Sequence, residues 1–217
     1  MARSKKATKK TYVALVLDES GSMSSIREQA ISLFNEQRDT IISTAKKGGD
    51  TKLSFFKFGG NHPNETVEVF HGIEPEKCDR LTEKSYIPQN GTPMRDGIGL
   101  AITRLEKEDD GGKDTAFLVV VVTDGQENQS REWSADRMRT KVSELQGTGR
   151  WTFAVYGANI SLADLQDTGV PVLDGNYAAY QASPAGVLRA ASAMAFSTVD
   201  YMTKRAVGQT STKTFTK

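Results

Sequence analysis

The sequence predicts an α/β fold with a mostly parallel central sheet, one antiparallel edge strand and helices on both faces of the sheet. Short apolar runs alternate along the chain with segments whose apolar residues recur at helical spacing, as in a parallel sheet with crossover helices. The runs at residues 12–17 and 116–122 are continuously apolar, which is typical of strands covered on both faces. One pair of predicted strands is joined by a connection too short for a crossover helix, so we expect an antiparallel hairpin at one edge.

The first half of the chain is predicted to contain a strand, a long helix and the edge hairpin. Gly48-Gly49 ends the helix, because glycine readily adopts the backbone conformation found just past a helix C-terminus. Residues 59–65 are rich in turn formers and join the hairpin strands. An irregular stretch, residues 71–89, follows. The predicted elements are a strand at 12–17, a helix at 26–47 and strands at 53–58 and 66–70.

In the second half of the chain, helices and strands alternate. Pro93 suits the first turn of one helix, and Ser183 followed by Pro184 suits the start of the last one. Residues 116–122 form the most apolar run and are the best candidate for a central strand. The predicted elements are helices at 94–105, 134–145, 161–166 and from residue 183, and strands at 116–122, 151–156 and 170–173. Apolar residues mark the last helix: Val187, Leu188, Ala191, Met194, Ala195, Val199 and Met202.

Length and composition indicate a single soluble domain. With 217 residues, of which 37% are hydrophobic and 25% charged, the chain can close one sizeable core. Its apolar runs are shorter than the roughly 20 residues needed to cross a bilayer, and no apolar segment follows the N-terminal charges, so we expect no membrane contact and no standard secretion signal. The single cysteine, Cys78, excludes an intramolecular disulfide and fits a reducing, cytoplasmic setting.

The formal net charge of +1 conceals two basic ends. Residues 1–10 carry five Lys and Arg, residues 204–217 carry four without any acid, and the segment between them has 19 basic against 27 acidic side chains. We predict a basic disordered tail at 1–10, a domain at 11–205 and a flexible C-terminal tail at 206–217. Nucleic acid is expected to bind only through these tails, if at all, because the acidic body would repel a phosphate backbone.

Three polar loops are predicted to meet at one edge of the sheet. They comprise residues 18–22, 91–93 and 123–125. In an open parallel sheet the ligand site lies beyond the carboxyl ends of the central strands. The loops offer two carboxylates and three hydroxyls but no sulfur or imidazole, a donor set that suits Mg²⁺ or Mn²⁺. The candidate metal ligands are Asp18, Ser20, Ser22, Thr92 and Asp124.

The three loops resemble the motifs of von Willebrand factor type A (VWA) domains, in which they help form a metal-ion-dependent adhesion site. Asp18-Glu-Ser20-Gly-Ser22 matches the family's Asp-x-Ser-x-Ser motif. Thr92 matches its threonine before a helix, and Asp124 matches its aspartate after the central strand. All five positions therefore occur in the family's order.

The resemblance covers the order of strands and helices over residues 12–204, and the part from residue 158 onward is similar to intracellular bacterial and phage members. It implies a Rossmann-like VWA fold and a domain that captures a protein partner through its metal. The three hydroxyls would contact the ion, and the two aspartates would bind it directly or through water. A remaining coordination position would then accept an Asp or Glu side chain of the partner.

Two other interpretations stay open. The serines, or Asp124 alone, could simply cap the following helices. Asp18 and Asp124 could instead serve a Mg²⁺-dependent phosphohydrolase. Against that enzyme, Ser20 replaces the second aspartate of an Asp-x-Asp phosphatase motif, and the chain has neither a G-x-x-x-x-G-K-[ST] phosphate loop nor a G-x-S-x-G nucleophile elbow. We therefore expect a binding domain and not an enzyme.

Polar residues near the predicted site are assigned no metal role. Asp96 is expected to complement the dipole of its helix. Glu19 and Glu127 border the site as ordinary exposed loop residues. His62 and His71 fall around the edge hairpin and are predicted to be surface residues far from the two aspartates.

Overall fold

The computed structural model describes residues 9–210 and 213–216. The strands are β1 (Lys10–Glu19), β2 (Asp50–Gly59), β3 (Thr66–Ile73), β4 (Thr115–Thr123), β5 (Trp151–Ala158) and β6 (Tyr177–Tyr180). The helices are α1 (Arg27–Gly48), α2 (Met94–Leu105), α3 (Ala135–Gly147), α4 (Leu162–Asp167) and α5 (Pro184–Ala206). A 3₁₀ helix at Gly21–Ile26 leads from β1 into α1.

The strands form one six-stranded sheet in the order β3-β2-β1-β4-β5-β6. Among the described residues, β2 and β3 are the antiparallel pair, and the other four neighbouring pairs are parallel. The α/β class, the mostly parallel sheet and the antiparallel edge predicted from the sequence are therefore confirmed.

Strand β1 shows how helices cover both faces of the sheet. Its apolar side chains alternate between two cores. Val13, Leu15 and Leu17 face the core beneath α1 and α5, whereas Ala14 and Val16 face the core beneath α2 and α3. Full burial of a Val or Leu side chain stabilises a fold by about 1.5–3 kcal/mol. Because both faces are buried, the strand is continuously apolar and does not alternate with polar residues.

The last strand lies further along the chain than predicted. The sequence suggested a strand at 170–173, but these residues form no strand, and β6 is found at Tyr177–Tyr180. Pro171 lacks the N–H that a ladder hydrogen bond needs. Val170 and Val172 are buried in the core beneath α2 and α3. Their apolar character reflects core packing, which a short sequence pattern does not distinguish from a strand.

Helix α5 buries fewer of its apolar residues than predicted. Val187, Ala191 and Met194 pack in the core beneath α1 and α5, but Leu188 and Val199 are 54% and 42% exposed. The helix is apolar around more of its circumference than the core covers. Despite this apolar surface, the part of the chain that the structure describes contains no helix with both the length and the apolar character needed to cross a membrane.

Both ends of the described chain pack against the domain. Lys10 is already the first residue of β1, and the predicted basic tail otherwise falls mostly on residues 1–8, which lie outside the described residues. At the other end Phe215 is buried, and its N–H donates to Asn176 Oδ1 at 2.7 Å. Phe215 therefore packs against the domain, whereas Lys213 and Thr214 are exposed. The limits assigned to the domain stay a prediction.

Candidate metal centre

The carboxylate of Asp18 forms the centre of the predicted site. Asp18 lies near the end of β1, beside the end of the neighbouring strand β4, and is fully buried. Its Oδ1 accepts a hydrogen bond from the N–H of Ser20 at 2.7 Å. Its Oδ2 accepts one from the hydroxyl of Thr123 at 2.6 Å. Groups at the ends of the two central strands therefore hold both carboxylate oxygens in place.

Hydroxyl groups link the first loop to Asp124. Ser20 Oγ and Ser22 Oγ are 3.1 Å apart, and the Ser22 hydroxyl donates to Asp124 Oδ1 at 2.7 Å. Ser20 is buried, Asp124 is half-buried and Ser22 is exposed. The site is therefore open to solvent on the side of Ser22.

Thr92 joins this group from the start of α2. Its backbone N–H donates to Asn128 Oδ1 at 2.9 Å, and the N–H of Asn128 donates back to the Thr92 carbonyl at 3.2 Å. A Cβ placed on Gly125 would lie 3.3 Å from Thr92 Oγ1 and 3.6 Å from Ser22 Oγ, so the two hydroxyls converge over this glycine. The structure thus brings together all five predicted site residues. That they bind a metal stays a prediction.

The negative charge of Asp124 acts on the buried carboxylate of Asp18. Burial raises the pKa of Asp18 to about 7, although hydrogen bonds from Ser20 and Thr123 oppose the shift, and the carboxylate of Asp124 adds to it. Burial also raises the pKa of Asp124. In the described part of the chain, no positively charged side chain is among the groups that shift these two pKa values.

A divalent cation fits this donor set. Carboxylate and hydroxyl oxygens are hard ligands of the kind that Mg²⁺ and Mn²⁺ prefer. Over residues 9–210 and 213–216, no group of three or more His, Cys, Asp and Glu side chains is arranged to hold a metal. A cation at this edge of the sheet would therefore depend on the hydroxyls of Ser20, Ser22 and Thr92. It would also favour the ionised form of Asp18 in its buried position.

Glu19 is buried, so its assignment to the exposed loop residues is wrong. Lys57 Nζ lies 2.9 Å from its carboxylate, and His62 Nε2 lies 2.6 Å from it. His62 therefore contacts the residue that follows Asp18, a contact that the sequence did not predict. Lys57 is the signal that could have revealed this contact, since residues 55–58 of β2 are otherwise all Phe and a buried lysine needs a charged partner.

Asp96 and Glu127 hold the loop between β4 and α3. Asp96, in the first turn of α2, accepts hydrogen bonds from the N–H groups of Arg131 and Trp133 at 2.7 and 2.8 Å. The Glu127 side chain is 2% exposed and accepts two backbone N–H bonds within its own loop, so the prediction of an exposed Glu127 is wrong. The loop that begins at Asp124 is thereby tied to the start of α2.

Known proteins with a similar chain trace identify this fold. The sequence matches no protein-family model and no curated protein. The pilus adhesin SpaC from Lactobacillus rhamnosus GG has a TM-score of 0.66 at 12% identity over 89% of this chain. A von Willebrand factor type A protein from Catenulispora acidiphila has a TM-score of 0.54 at 13% identity over 91% of it. The chain has a VWA fold.

This chain matches less than half of the length of each of these proteins. It spans 30% of the SpaC chain and 43% of the Catenulispora chain. Proximal thread matrix protein 1 from the mussel byssus, solved with zinc in its metal-ion-dependent adhesion site, has a TM-score of 0.54 at 14% identity, over 85% of this chain and 44% of that one. At this level of identity the likeness shows the fold and not what this chain binds.

Proposed function

We propose that this VWA domain is a divalent-metal-dependent protein interaction module. The observation that carries the proposal is the convergence of three hydroxyls and two carboxylates on three loops, with no positive side chain acting on either carboxylate in the described residues. Buried like charges are unfavourable unless a cation or a proton compensates them. The arrangement is therefore better suited to a metal than to helix capping alone.

Each proposed ligand has a distinct part in holding the metal. Ser20, Ser22 and Thr92 would offer hydroxyl oxygens, while Asp18 and Asp124 would supply the negative charge. Neighbouring groups already orient them, as Thr123 does for Asp18 and Asn128 does for Thr92. The bound ion would supply a positively charged centre that attracts an incoming carboxylate. We assign Mg²⁺ or Mn²⁺ to the site because all five donors are oxygens.

The proposed partner is a protein that presents an Asp or Glu side chain. Gly21 and Ser22 are exposed at the rim of the site, so a partner has access to this side of the metal. The adhesin and the matrix protein among the similar structures support a binding role in general terms. Neither of them identifies the partner of this chain.

A phosphohydrolase that uses Asp18 and Asp124 is the alternative. Asp18 is fully buried and both of its oxygens accept hydrogen bonds, so it is poorly placed to attack a substrate. His62 is engaged with Glu19. We therefore propose a non-catalytic domain, and phosphomonoester, phosphodiester and nucleotide assays in Mg²⁺ or Mn²⁺ should show no turnover that Asp18→Ala abolishes.

Calorimetric titration with Mg²⁺ and Mn²⁺ tests the metal site. Wild-type protein should show one saturable site, which Asp18→Ala/Asp124→Ala should abolish because it removes both charges. Asp136→Ala is the matched control, since this aspartate is 95% exposed on α3 and should leave binding unchanged. Equal metal affinity in the wild type and the double variant would contradict the assignment.

Partner capture needs a separate experiment. The wild type should retain its partner from a lysate in Mg²⁺ and release it in chelator, and Thr92→Ala should weaken retention because it removes one hydroxyl ligand just before α2. Binding through the basic N-terminal tail predicts the opposite pattern: retention in chelator, loss on deletion of residues 1–8 and steep weakening with salt.

A further inference from the structure

Residues 85–90, here called the latch, run across residues 18–22, here called the metal loop. We propose that the latch is a positioning element of the metal centre and that Tyr86 is its principal anchor. The inference rests on the proposed metal-binding function. It assigns a role to a segment that the sequence motifs do not include.

The latch is hydrogen-bonded to the metal loop at three successive points. The Tyr86 hydroxyl donates to the Asp18 carbonyl at 2.5 Å. The N–H of Gln89 donates to the Glu19 carbonyl at 2.9 Å, and the N–H of Gly21 donates to the Asn90 carbonyl at 3.0 Å. Because these bonds follow the order of the loop residues, the latch fixes the loop along its length and not at one point.

The side chain of Glu19 adds a buried polar anchor beneath the latch. Its Oε1 accepts the N–H of Ile87 at 2.7 Å and lies 2.9 Å from Lys57 Nζ. The same ammonium donates to the Ser85 carbonyl at 2.9 Å. Glu19 and Lys57 are both almost completely buried, so this contact is shielded from solvent. Position 19 is the unspecified residue of the Asp-x-Ser-x-Ser motif, and in this chain it fixes the latch.

The latch also leads directly into Thr92. Thr92 follows Asn90 by two residues, and the Thr92 and Ser22 hydroxyls meet over Gly125. One short segment is therefore bonded to the serine loop and continues directly into the threonine. The relative position of the serine and threonine hydroxyls depends on the latch, as metal ligands generally depend on the groups that orient them.

Tyr86→Phe tests the anchor because it removes the hydroxyl and keeps the ring in the core. Tyr201→Phe is the matched control, since Tyr201 is a buried tyrosine of the same core that packs against Phe215 instead of the metal loop. Titration with Mn²⁺ should show about tenfold weaker binding for Tyr86→Phe and less than about twofold for Tyr201→Phe. Urea unfolding in chelator measures the stability of both variants, and Tyr86→Phe should lose more because its hydroxyl makes a buried hydrogen bond.

A double-mutant cycle with Thr92→Ala separates positioning from general loosening. If the latch acts by placing the threonine hydroxyl, Tyr86→Phe should weaken Mn²⁺ binding by less than about twofold once that hydroxyl is gone. An equal effect in both backgrounds would overturn the inference. Amide exchange in chelator gives a metal-free readout, in which the Gly21 and Gln89 N–H groups should exchange faster in Tyr86→Phe than in Tyr201→Phe.

The outcomes distinguish the latch from the metal site itself. Wild-type protein that binds no Mn²⁺ would overturn both proposals, whereas wild type and Tyr86→Phe binding with equal affinity would overturn the latch alone. If Tyr86→Phe does not fold, Asn90→Gly replaces it. That variant tolerates the left-handed backbone (φ 61°) and removes the exposed side chain that donates to the Gly60 carbonyl at 2.8 Å. It should weaken Mn²⁺ binding several-fold, and unchanged affinity would overturn the inference.

Discussion

The two ends of the sheet bury opposite charges in different surroundings. At the end where the strands begin, Arg205 of α5 is 1% exposed. Its guanidinium donates to the carbonyls of Asp114 and Lys10 at 2.7 and 3.1 Å and to the Thr210 hydroxyl at 2.8 Å. At the end where the strands finish, Asp18 is fully buried among hydroxyl and N–H donors.

The difference lies in what stands next to each charge. Neutral oxygens from three separate segments accept the hydrogen bonds of Arg205, and the negative charge of the Asp114 carboxylate also acts on it, so its guanidinium is compensated within the chain. Asp18 has donors as well, but Asp124 adds a second negative charge beside it. A buried charge that neutral dipoles and an opposite charge compensate is a structural feature, whereas a buried charge next to a like charge indicates a ligand.

Lys57→Met should have the largest effect on stability, because it leaves the buried carboxylate of Glu19 without its lysine partner. Removing one partner of a buried pair typically destabilises a fold by about 3–5 kcal/mol, and urea unfolding in chelator measures it. Lys52→Met on the same strand is the control, since its ion pair with Glu74 is largely exposed and should change stability by less than about 1 kcal/mol. A small effect at Lys57 would mean that His62, 2.6 Å from the Glu19 carboxylate, stabilises it without the lysine.

Arg205→Met should destabilise the fold by about 2–4 kcal/mol, because it removes a buried guanidinium that donates to the Lys10 and Asp114 carbonyls and to the Thr210 hydroxyl. The loss should be the same in Mg²⁺ and in chelator, since this end of the sheet needs no metal. Arg189→Met, at an exposed position of the same helix, should change stability by less than about 0.5 kcal/mol. A loss that depended on Mg²⁺ would show that the two ends are coupled.

Asp18→Asn should remove the stabilisation by metal. At a Mg²⁺ concentration about 100 times its Kd, the wild type should gain about 2.7 kcal/mol over protein in chelator, and the variant should gain none. In chelator the variant should be no less stable than the wild type, because the substitution removes a buried charge and keeps the side-chain shape. Asp136→Asn should behave as wild type, and metal stabilisation of Asp18→Asn would argue against Asp18 as a ligand.

Tyr180→Phe should have the smallest effect. Tyr180 donates to the Thr123 carbonyl at 3.3 Å, a longer bond than the 2.5 Å bond from Tyr86 to the Asp18 carbonyl. Longer hydrogen bonds are weaker, so Mn²⁺ affinity measured by calorimetry should fall by less than about twofold. A loss as large as that of Tyr86→Phe would mean that both central strands need a tyrosine at their ends.

The fold could be predicted because its main signals are local. Residues 12–17 and 116–122 are apolar without interruption, and an aspartate lies near the end of the first strand and directly after the second. These two patterns predicted the positions of β1, β4 and the site between them. The prediction of a strand at 170–173 was wrong because Val170 and Val172 are buried by core packing and not by strand pairing.

The surroundings of the site could not be predicted because they depend on contacts between distant residues. Tyr86 of the latch bonds to Asp18, which lies 68 positions earlier in the sequence. No periodic pattern in the sequence indicates such a pairing. In the sequence, Glu19 is indistinguishable from an ordinary loop glutamate. Only the folded structure shows its contacts with Lys57 and His62. Local patterns therefore located the proposed ligands, and tertiary structure was needed to find what orients them.

The hydrogen bond from Thr123 to Asp18 also bears on the order of folding. It joins residues 105 positions apart, and β1 pairs with β4 only after the intervening β2, β3 and α2 have been synthesised. Contacts of such long sequence separation form slowly, because the chain must close a large loop before they stabilise it. The proposed metal centre is therefore expected to assemble only after β1 and β4 have paired. Metal uptake during refolding would report the pairing of these two strands.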